Sequence, residues 1–573
     1  MGLQRTGLIF FVALMAPIVA STQEQGPLNR QEILQWGAAE HQALQWLAVE
    51  AGQALPSGTG PFSVAELHME LQRIDVLRLS AVGRERYRWL QQRLSPADIR
   101  ERAAVVQPDF AFSAGLDVNV ELYLNSNNEV PYREYRERQR LPFLSIPLEA
   151  WAGNHGYGII DIDLRKFPPA PGGVLTSEPD PWTNVVFTDV NSIDIEFPSR
   201  AFLAVGGDFW NLQFGRDDLR WGNGHTGSLY LGDSVREYDF ARLSAFWRVF
   251  KYSTVWIGMD GNLTPAEEAD LAAADSDPDF RSKYEDITDL HRSFLAHRFE
   301  VRAWDRVNFI ATQGIMYGGR NMELRYLNPM MLYHNLYTNP LPGNAHMSFE
   351  IEATLRPGLV AYAHLAPDQW SSPLEDGDYT VNEPNAVAYM AGIRWLKPLD
   401  HGFVQTIGEA VFVDPWMYIH NRGHTSITYR RRIATEHFRD GGGRTWLEEP
   451  LGYYTGNDSA VIFLESRYVE PGRWFSGVRG RLEVRGERQI TDTLPDRDEP
   501  NMLPEDNEAV TPTGDFPEWT TALTIFGEVQ PGITRRNLTV GSELTWMTVT
   551  NLGNVDAAPE HDVQLVVYAS MKF

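Results

Sequence analysis

The sequence predicts an all-β transmembrane barrel preceded by a small α-helical domain. Three observations carry this prediction. The hydrophobic period changes from helical to strand-like after Pro108, the strand-like segments are two-faced and long enough to cross a bilayer at a tilt, and the last one stops on Phe573.

The first 22 residues read as a secretory signal peptide, with Arg5, an apolar run from Gly7 to Ala20, and small residues Ala20, Ser21 and Thr22 at the cleavage point. That run is too short to span a bilayer as a helix, and no other stretch of about 18 apolar residues occurs, so no transmembrane helix is expected. The chain has no cysteine, which excludes disulfides, thiolate metal sites, a cysteine nucleophile and a lipid-modified N-terminal cysteine. A net charge of −26 argues against nucleic acid as a partner. Aromatic residues at 12%, with 17 Trp and 47 Gly, suggest one large aromatic-rich β structure.

Residues 23–107 form the expected helical domain. Leu44, Leu47, Ala51 and Leu55 share one stripe, as do Leu67, Leu71 and Ile74, followed by Tyr87, Leu90 and Leu94. "PSGTGP" breaks the pattern, Ser63-x-x-Glu66 reads as a capping box, and Pro96 opens a short last helix. A domain of this size is expected to lean on something.

The barrel is expected over 108–573. In "FAFSAGLDVNVELYL", Phe110 through Leu124 alternate with Ser113, Gly115, Asp117, Asn119 and Glu121, so one face wants lipid and the other water. The pattern returns in "LSIPLEAWA", "TVWIGM", "TALTIFGEV", "LTVGSELTWMTV" and the final "DVQLVVYASMKF". A terminal strand ending in Phe573 resembles the signal read by the outer-membrane barrel-assembly machinery, and this strand should close against the first. An open edge in lipid would leave backbone groups unsatisfied. A secreted β-sandwich also has one apolar face, but needs neither so many long strands nor Trp and Tyr near their ends. Tight connections such as "GGD" at Gly206–Asp208 contrast with long polar ones such as Asp492–Glu508.

Little points to catalysis. The sequence has no His-Glu-x-x-His, no Gly-x-Ser-x-Gly and no phosphate loop. Asp275-x-Asp277-x-Asp279 has Phe280 where a calcium loop needs Gly, and His420 and His424 follow a strand-like run in which four-residue spacing loses its meaning. No enzyme, cofactor or metal site is therefore expected. "RWGNGHTGSLYLGD" contains Gly222-x-Gly224-x-x-Gly227, the spacing of a dinucleotide turn. Its flanks lack the buried strand and the helix which that mechanism needs, so a loop between barrel strands is expected.

Several segments together resemble the capsule-assembly outer-membrane lectin family, the Wzi type. They are "FGRDDLRWGNGHTGSLYLGD", "LAHRFEVRAWDRVNFIATQGIMYGGRNMELRYLNPMMLYHN" and "EPLGYYTGNDSAVIF". Where the family tends to carry an acidic residue before the Tyr-Gly pair, this chain has Gln313. The resemblance implies a barrel of about 18 strands in the bacterial outer membrane, with helices at its periplasmic mouth and loops that bind capsular or extracellular polysaccharide. Surface polysaccharide, outer-membrane lipid and the assembly machinery would be its partners. Sugars stack on Trp and Tyr and hydrogen-bond to planar polar groups. On that basis Arg216, Asp217, Trp221, Asn223, Tyr317, Arg320, Arg325, Tyr326 and Asn328 are candidate sugar contacts. Each also has a structural reading: Trp221 as a membrane-interface residue, Arg216 and Arg325 as partners of lumen carboxylates. A porin or channel for small solutes or oligosaccharides is the alternative function.

Overall fold

The computed structural model describes residues 29–166, 181–189, 193–194, 198–259, 291–318, 324–333, 343–369, 386–420, 425–434, 444–492, 510–530 and 537–573. The signal-peptide segment, Arg320, His424 and the acidic stretches 260–290 and 493–509 lie outside the described residues.

Eighteen antiparallel strands close into a barrel. They are β1 (Asp117–Asn125), β2 (Leu144–Ala152), β3 (Gly156–Lys166), β4 (Arg200–Gly206), β5 (Trp210–Asp217) and β6 (Tyr238–Phe246). Next come β7 (Phe250–Met259), β8 (Arg292–Ala303), β9 (Val307–Gly318), β10 (Gly343–Arg356), β11 (Leu359–Gln369) and β12 (Ala386–Pro398). The wall ends with β13 (Phe403–Val413), β14 (Ser459–Glu470), β15 (Trp474–Arg485), β16 (Glu518–Val529), β17 (Asn537–Thr550) and β18 (Glu560–Lys572).

Closure follows from β18 pairing with β1, Gln564 opposite Asn125 and Lys572 opposite Asp117. The first strand is not the continuous one that its alternation predicts. It breaks at Gly115-Leu116, so that the arm Phe110–Ala114 pairs with β2 while β1 turns to β18. The break follows from the partners available. Gly115 N–H donates to the Pro147 carbonyl (2.9 Å) and Phe573 N–H to the Leu116 carbonyl (2.9 Å), which satisfies both sides of the kink. Only Asp117 and Val118 pair directly with β2; above them Asn184 bonds the free edge of β1, its Oδ1 accepting from Glu121 N–H and its Nδ2 donating to the Asn119 carbonyl.

Alternation divides the wall as expected. Phe309, Phe349, Ile351, Ile462, Leu464 and Ile525 are exposed on the outer face, whereas Arg298, Ser348, Glu409 and Thr524 on the opposite face are buried. Exposed Trp210, Trp247, Trp304 and Trp474 sit at or beside the short turns, and Trp519 and Trp546 toward the other end, where belts at two interfaces belong. One end has turns as short as residues 153–155, 247–249 and 357–358, and the other carries the long connections. Phe573 is half exposed, so its ring adds little to packing. Deleting Phe573 is expected to lower the amount of folded barrel recovered from the outer membrane severalfold while leaving detergent refolding of the purified chain intact. Equal loss in both assays would make it a packing residue and not an assembly signal.

Among the described residues, four α-helices sit at the short-turn end: α1 (Ala39–Ala51), α2 (Val64–Gln72), α3 (Ala81–Arg93) and α4 (Pro96–Arg102). Their apolar stripes meet in one core of Leu44, Leu47, Leu67, Leu71, Ile74, Leu90 and Leu94. Val49 and Leu55 instead pack on Val360, Leu396, Phe403 and Val469 of the barrel. Gly52 ends α1 in the left-handed region (φ 72°), and a Cβ there would lie 2.9 Å from the Pro357 ring in a barrel turn. Ser63 caps α2 as predicted, accepting from Glu66 N–H at 3.3 Å. Glu66 does not complete the box: its carboxylate goes to the Lys251 ammonium on β7 (2.5 Å), because a buried cation is a stronger partner than a backbone N–H.

Candidate functional site

The Gly-rich stretch lies in the connection between β5 and β6 and folds into the lumen. Arg220-Trp221 forms a two-residue strand with Thr59-Gly60 of the helical region, so loop and helices meet across the barrel. Trp221 is fully buried and its ring lies parallel to Tyr230, 6.4 Å away. Gly222 (φ 122°) donates its N–H to the Gly58 carbonyl at 3.0 Å. A Cβ at Gly58 would stand 2.7 Å from the Gly222 carbonyl carbon, an approach that only glycine permits.

Glycine-rich turns bind anions through clustered N–H groups, and here the anion is part of the wall. The Glu409 carboxylate on β13 accepts from His225 N–H (2.6 Å), Thr226 N–H (2.9 Å) and the hydroxyls of Thr226 and Tyr362. Other loops lock onto the same element. Gly232 N–H donates to the Leu451 carbonyl (2.7 Å), the Tyr418 hydroxyl to the Leu229 carbonyl (2.8 Å) and Arg138 to the Val235 carbonyl (3.1 Å). A buried apolar core of Trp221, Leu229, Tyr230, Leu231, Tyr418, Leu451 and Tyr453 joins the loops to Met316, Met390 and Val411 of the wall.

The candidate contacts fall on two sides of that wall. Asp217 and Asn223 belong to the inner joint. Asp217 accepts from Arg200 (2.7 Å), Gln213 (3.0 Å) and Gln35 (3.3 Å), and Asn223 accepts from Gln45 (2.8 Å) and donates to the Pro56 carbonyl (3.1 Å). Arg216 is on the outer face, paired in bidentate fashion with Asp239 (2.9 and 2.7 Å) and not with a lumen carboxylate.

Tyr317 and Tyr326 are outside as well. Residues 324–333 lie against the outer face of β7–β9, where Tyr326 and Tyr333 pack on Leu295, Ile315, Tyr317 and Trp256. His297 and Gln313, directly opposed on β8 and β9, hold this segment. The His297 Nε2 is 2.8 Å from the Tyr326 carbonyl, and Gln313 donates to the Met331 carbonyl at 2.9 Å while accepting from Tyr333 N–H at 3.4 Å. A carboxylate could only accept, so the amide at 313 suits both bonds. Arg325 lies over the Tyr326 ring, 5.4 Å from its centroid, and Asn328 is exposed, its Oδ1 accepting from Met330 N–H at 3.1 Å. Tyr317-Gly318 ends β9.

Sequence reasoning missed the charged face that anchors the plug. Arg298 on β8 holds the Glu350 carboxylate with two nitrogens (2.6 and 2.9 Å), and Lys251 bonds Ser57, the Thr59 carbonyl and Glu66. The available signal was a charge at every second position in "HRFEVR" and "SFEIEATL". Outside the strands, Glu32 bonds Arg93 (2.9 Å) and Arg102 (2.7 Å), and Glu70 bonds Arg302 and Arg73 (both 3.1 Å). Burial alone would raise both carboxyls, but the paired guanidiniums outweigh it and hold them below their ordinary value. His41 is pushed down to about 3, first by burial and then by the cationic Lys251, Arg394 and Arg220, although its bond to the Ser57 carbonyl (3.2 Å) acts the other way.

A closed barrel with an apolar outer belt, unequal ends, helices at one mouth and loops folded into the lumen has the architecture of an outer-membrane β-barrel protein. Its fold is similar to that of Wzi of Escherichia coli, described as an outer-membrane protein involved in group 1 capsule assembly and a carbohydrate-binding β-barrel. The two share 14% identity with a TM-score of 0.55, over 94% of this chain and 99% of that one. OprD of Pseudomonas aeruginosa (TM-score 0.36, 9% identity, 81% and 95% covered) and the channel DcaP of Acinetobacter baumannii (0.34, 10%, 82% and 100%) overlap less. No family model matches the sequence, and no curated protein matches it either.

Proposed function

We propose that this protein is a non-enzymatic outer-membrane barrel that holds capsular or extracellular polysaccharide at the cell surface, with its helices on the periplasmic side. The observation that carries the reading is the plugged lumen. The Gly222–Gly227 loop pairs with the helical region through Trp221 and Thr59, an arrangement that suits a binding barrel and obstructs free diffusion. The full-length likeness in fold to a carbohydrate-binding barrel supports it. Short turns mark the periplasmic end of such barrels, which supports a periplasmic position for the helices and an outer one for the long connections. Each sugar contact can be weak, because a polymer meeting many copies gains avidity.

The test is the ratio of cell-attached to shed polysaccharide in a strain lacking the protein, compared with its parent. Equal synthesis with a shift to the medium is expected. An unchanged ratio would overturn the reading and favour the channel alternative, for which the charged inner wall offers a polar lining once the plug is displaced. Arg325→Ala then tests a half-buried candidate on the outer face, whereas Trp221→Ala reports on plug packing, since that ring is fully buried.

A further inference from the structure

The lumen faces of β10 and β11 bring Glu350, Glu352 and His364 together. Glu350 and His364 are direct cross-strand partners, and Glu352 stands two residues along on the same face. One ligand atom from each lies within 4.8 Å of the others, and His364 Nε2 is 3.7 Å from Glu350 Oε2. All three side chains are buried. Arg298 fixes Glu350, and one Glu352 oxygen accepts from Asn308 (2.9 Å). Among the described residues, Glu352 Oε1 and His364 Nε2 have no partner within hydrogen-bond geometry, although both are buried in the cluster. Leaving such groups unsatisfied is unfavourable, most of all for a carboxylate that makes no ion pair with an Arg or Lys among the described residues. The Gly-rich loop covers the cluster: a Cβ at Gly222 would lie 3.6 Å from Glu350 Oε2 and 3.7 Å from His364 Cε1.

We propose that Glu350, Glu352 and His364 form a site for a divalent transition-metal ion, Zn2+ first among them, beneath the Gly222 loop. Two carboxylates and one imidazole match the mixed oxygen and nitrogen set that Zn2+ accepts, whereas Mg2+ and Ca2+ favour oxygen alone. Bonds of about 2.0–2.2 Å to one ion require the three ligand atoms, now within 4.8 Å of one another, to converge further on binding. Arg298 orients the Glu350 carboxylate as an outer partner, in the way that hydrogen-bonded groups behind a ligand commonly do. The ion supplies the positive charge that Glu352 lacks. This site is independent of the polysaccharide reading.

Purified full-length protein in detergent is loaded with Zn2+, washed in excess Mg2+ and assayed for bound zinc by mass spectrometry, alongside Glu352→Gln, His364→Ala and the control His68→Gln. Retention of one ion per chain is expected in the parent and in His68→Gln, with loss in the other two variants. Heat-modifiable gel migration confirms that each is a folded barrel. If His364→Ala fails to assemble, the near-isosteric Glu352→Gln decides. No retained zinc in the parent, or equal retention in Glu352→Gln, overturns the proposal.

Discussion

Replacing Glu409 by alanine is expected to release the Gly222–Gly227 loop and to give the barrel measurable conductance. The carboxylate is 3% exposed and accepts two backbone N–H groups and two hydroxyls. Alanine leaves all four donors without it. At about 1–3 kcal/mol for each buried group left unsatisfied, the loop loses several kcal/mol of anchoring. The residue is on the wall and the affected element is the loop, so the barrel itself should still assemble. Single-channel recording in a planar bilayer checks this: the parent should be nearly silent and Glu409→Ala should show discrete openings. Glu409→Gln, which keeps one acceptor oxygen, should fall between them. A parent that conducts like a general porin would remove the premise that the lumen is obstructed.

Acidification should loosen the helices from the barrel mouth in two stages. His41 ordinarily titrates near 6.5, but in the docked helix it stays neutral down to about 3. The undocked state therefore binds the proton first, and docking weakens as pH falls from about 6.5 toward 3, by up to roughly 5 kcal/mol at 1.36 kcal/mol per unit. Glu32 and Glu70 act lower. Their values are held below the ordinary 4.5, so their contribution is complete above that pH and is lost as pH falls through the lowered values. Hydrogen exchange of α1–α3 followed from neutral pH to below about 3 is the measurement. His41→Gln should flatten the change above the carboxylate range and leave the lower stage. An identical profile in that variant would show that His41 does not govern the first stage.

Much of the architecture was legible from local chemistry. "LSIPLEAWA" coincides with β2, and the two-faced segments after it fall within their strands, the last but for Phe573, because a half-buried strand must alternate. Ser63 and Pro96 open their helices where the capping chemistry places them. The break in the first strand was not legible, since Gly115 alternates correctly and only its partners, Pro147 and the chain end, reveal the kink.

The candidate site divides along the same line. Its residues were chosen for their side-chain chemistry, and that chemistry does not say which side of a wall a residue occupies or whether it is already satisfied. Trp221 and Tyr317 are both aromatic residues near loops, yet one is buried inside the lumen and the other is covered on the outer face by residues 324–333. Glu350 and Glu352 were visible only as alternating charges. Their meeting with His364 and Arg298 depends on the register of four neighbouring strands.

By itself, then, the sequence determined the two-faced strands, the helical stripes and their caps, because hydrophobic period and capping act over a few residues. The tertiary structure alone decided what fills the barrel. Closure and register bring Thr226 to Glu409 and Thr59 to Trp221 across more than 150 residues of chain, and a buried polar group is satisfied by whatever the fold places beside it.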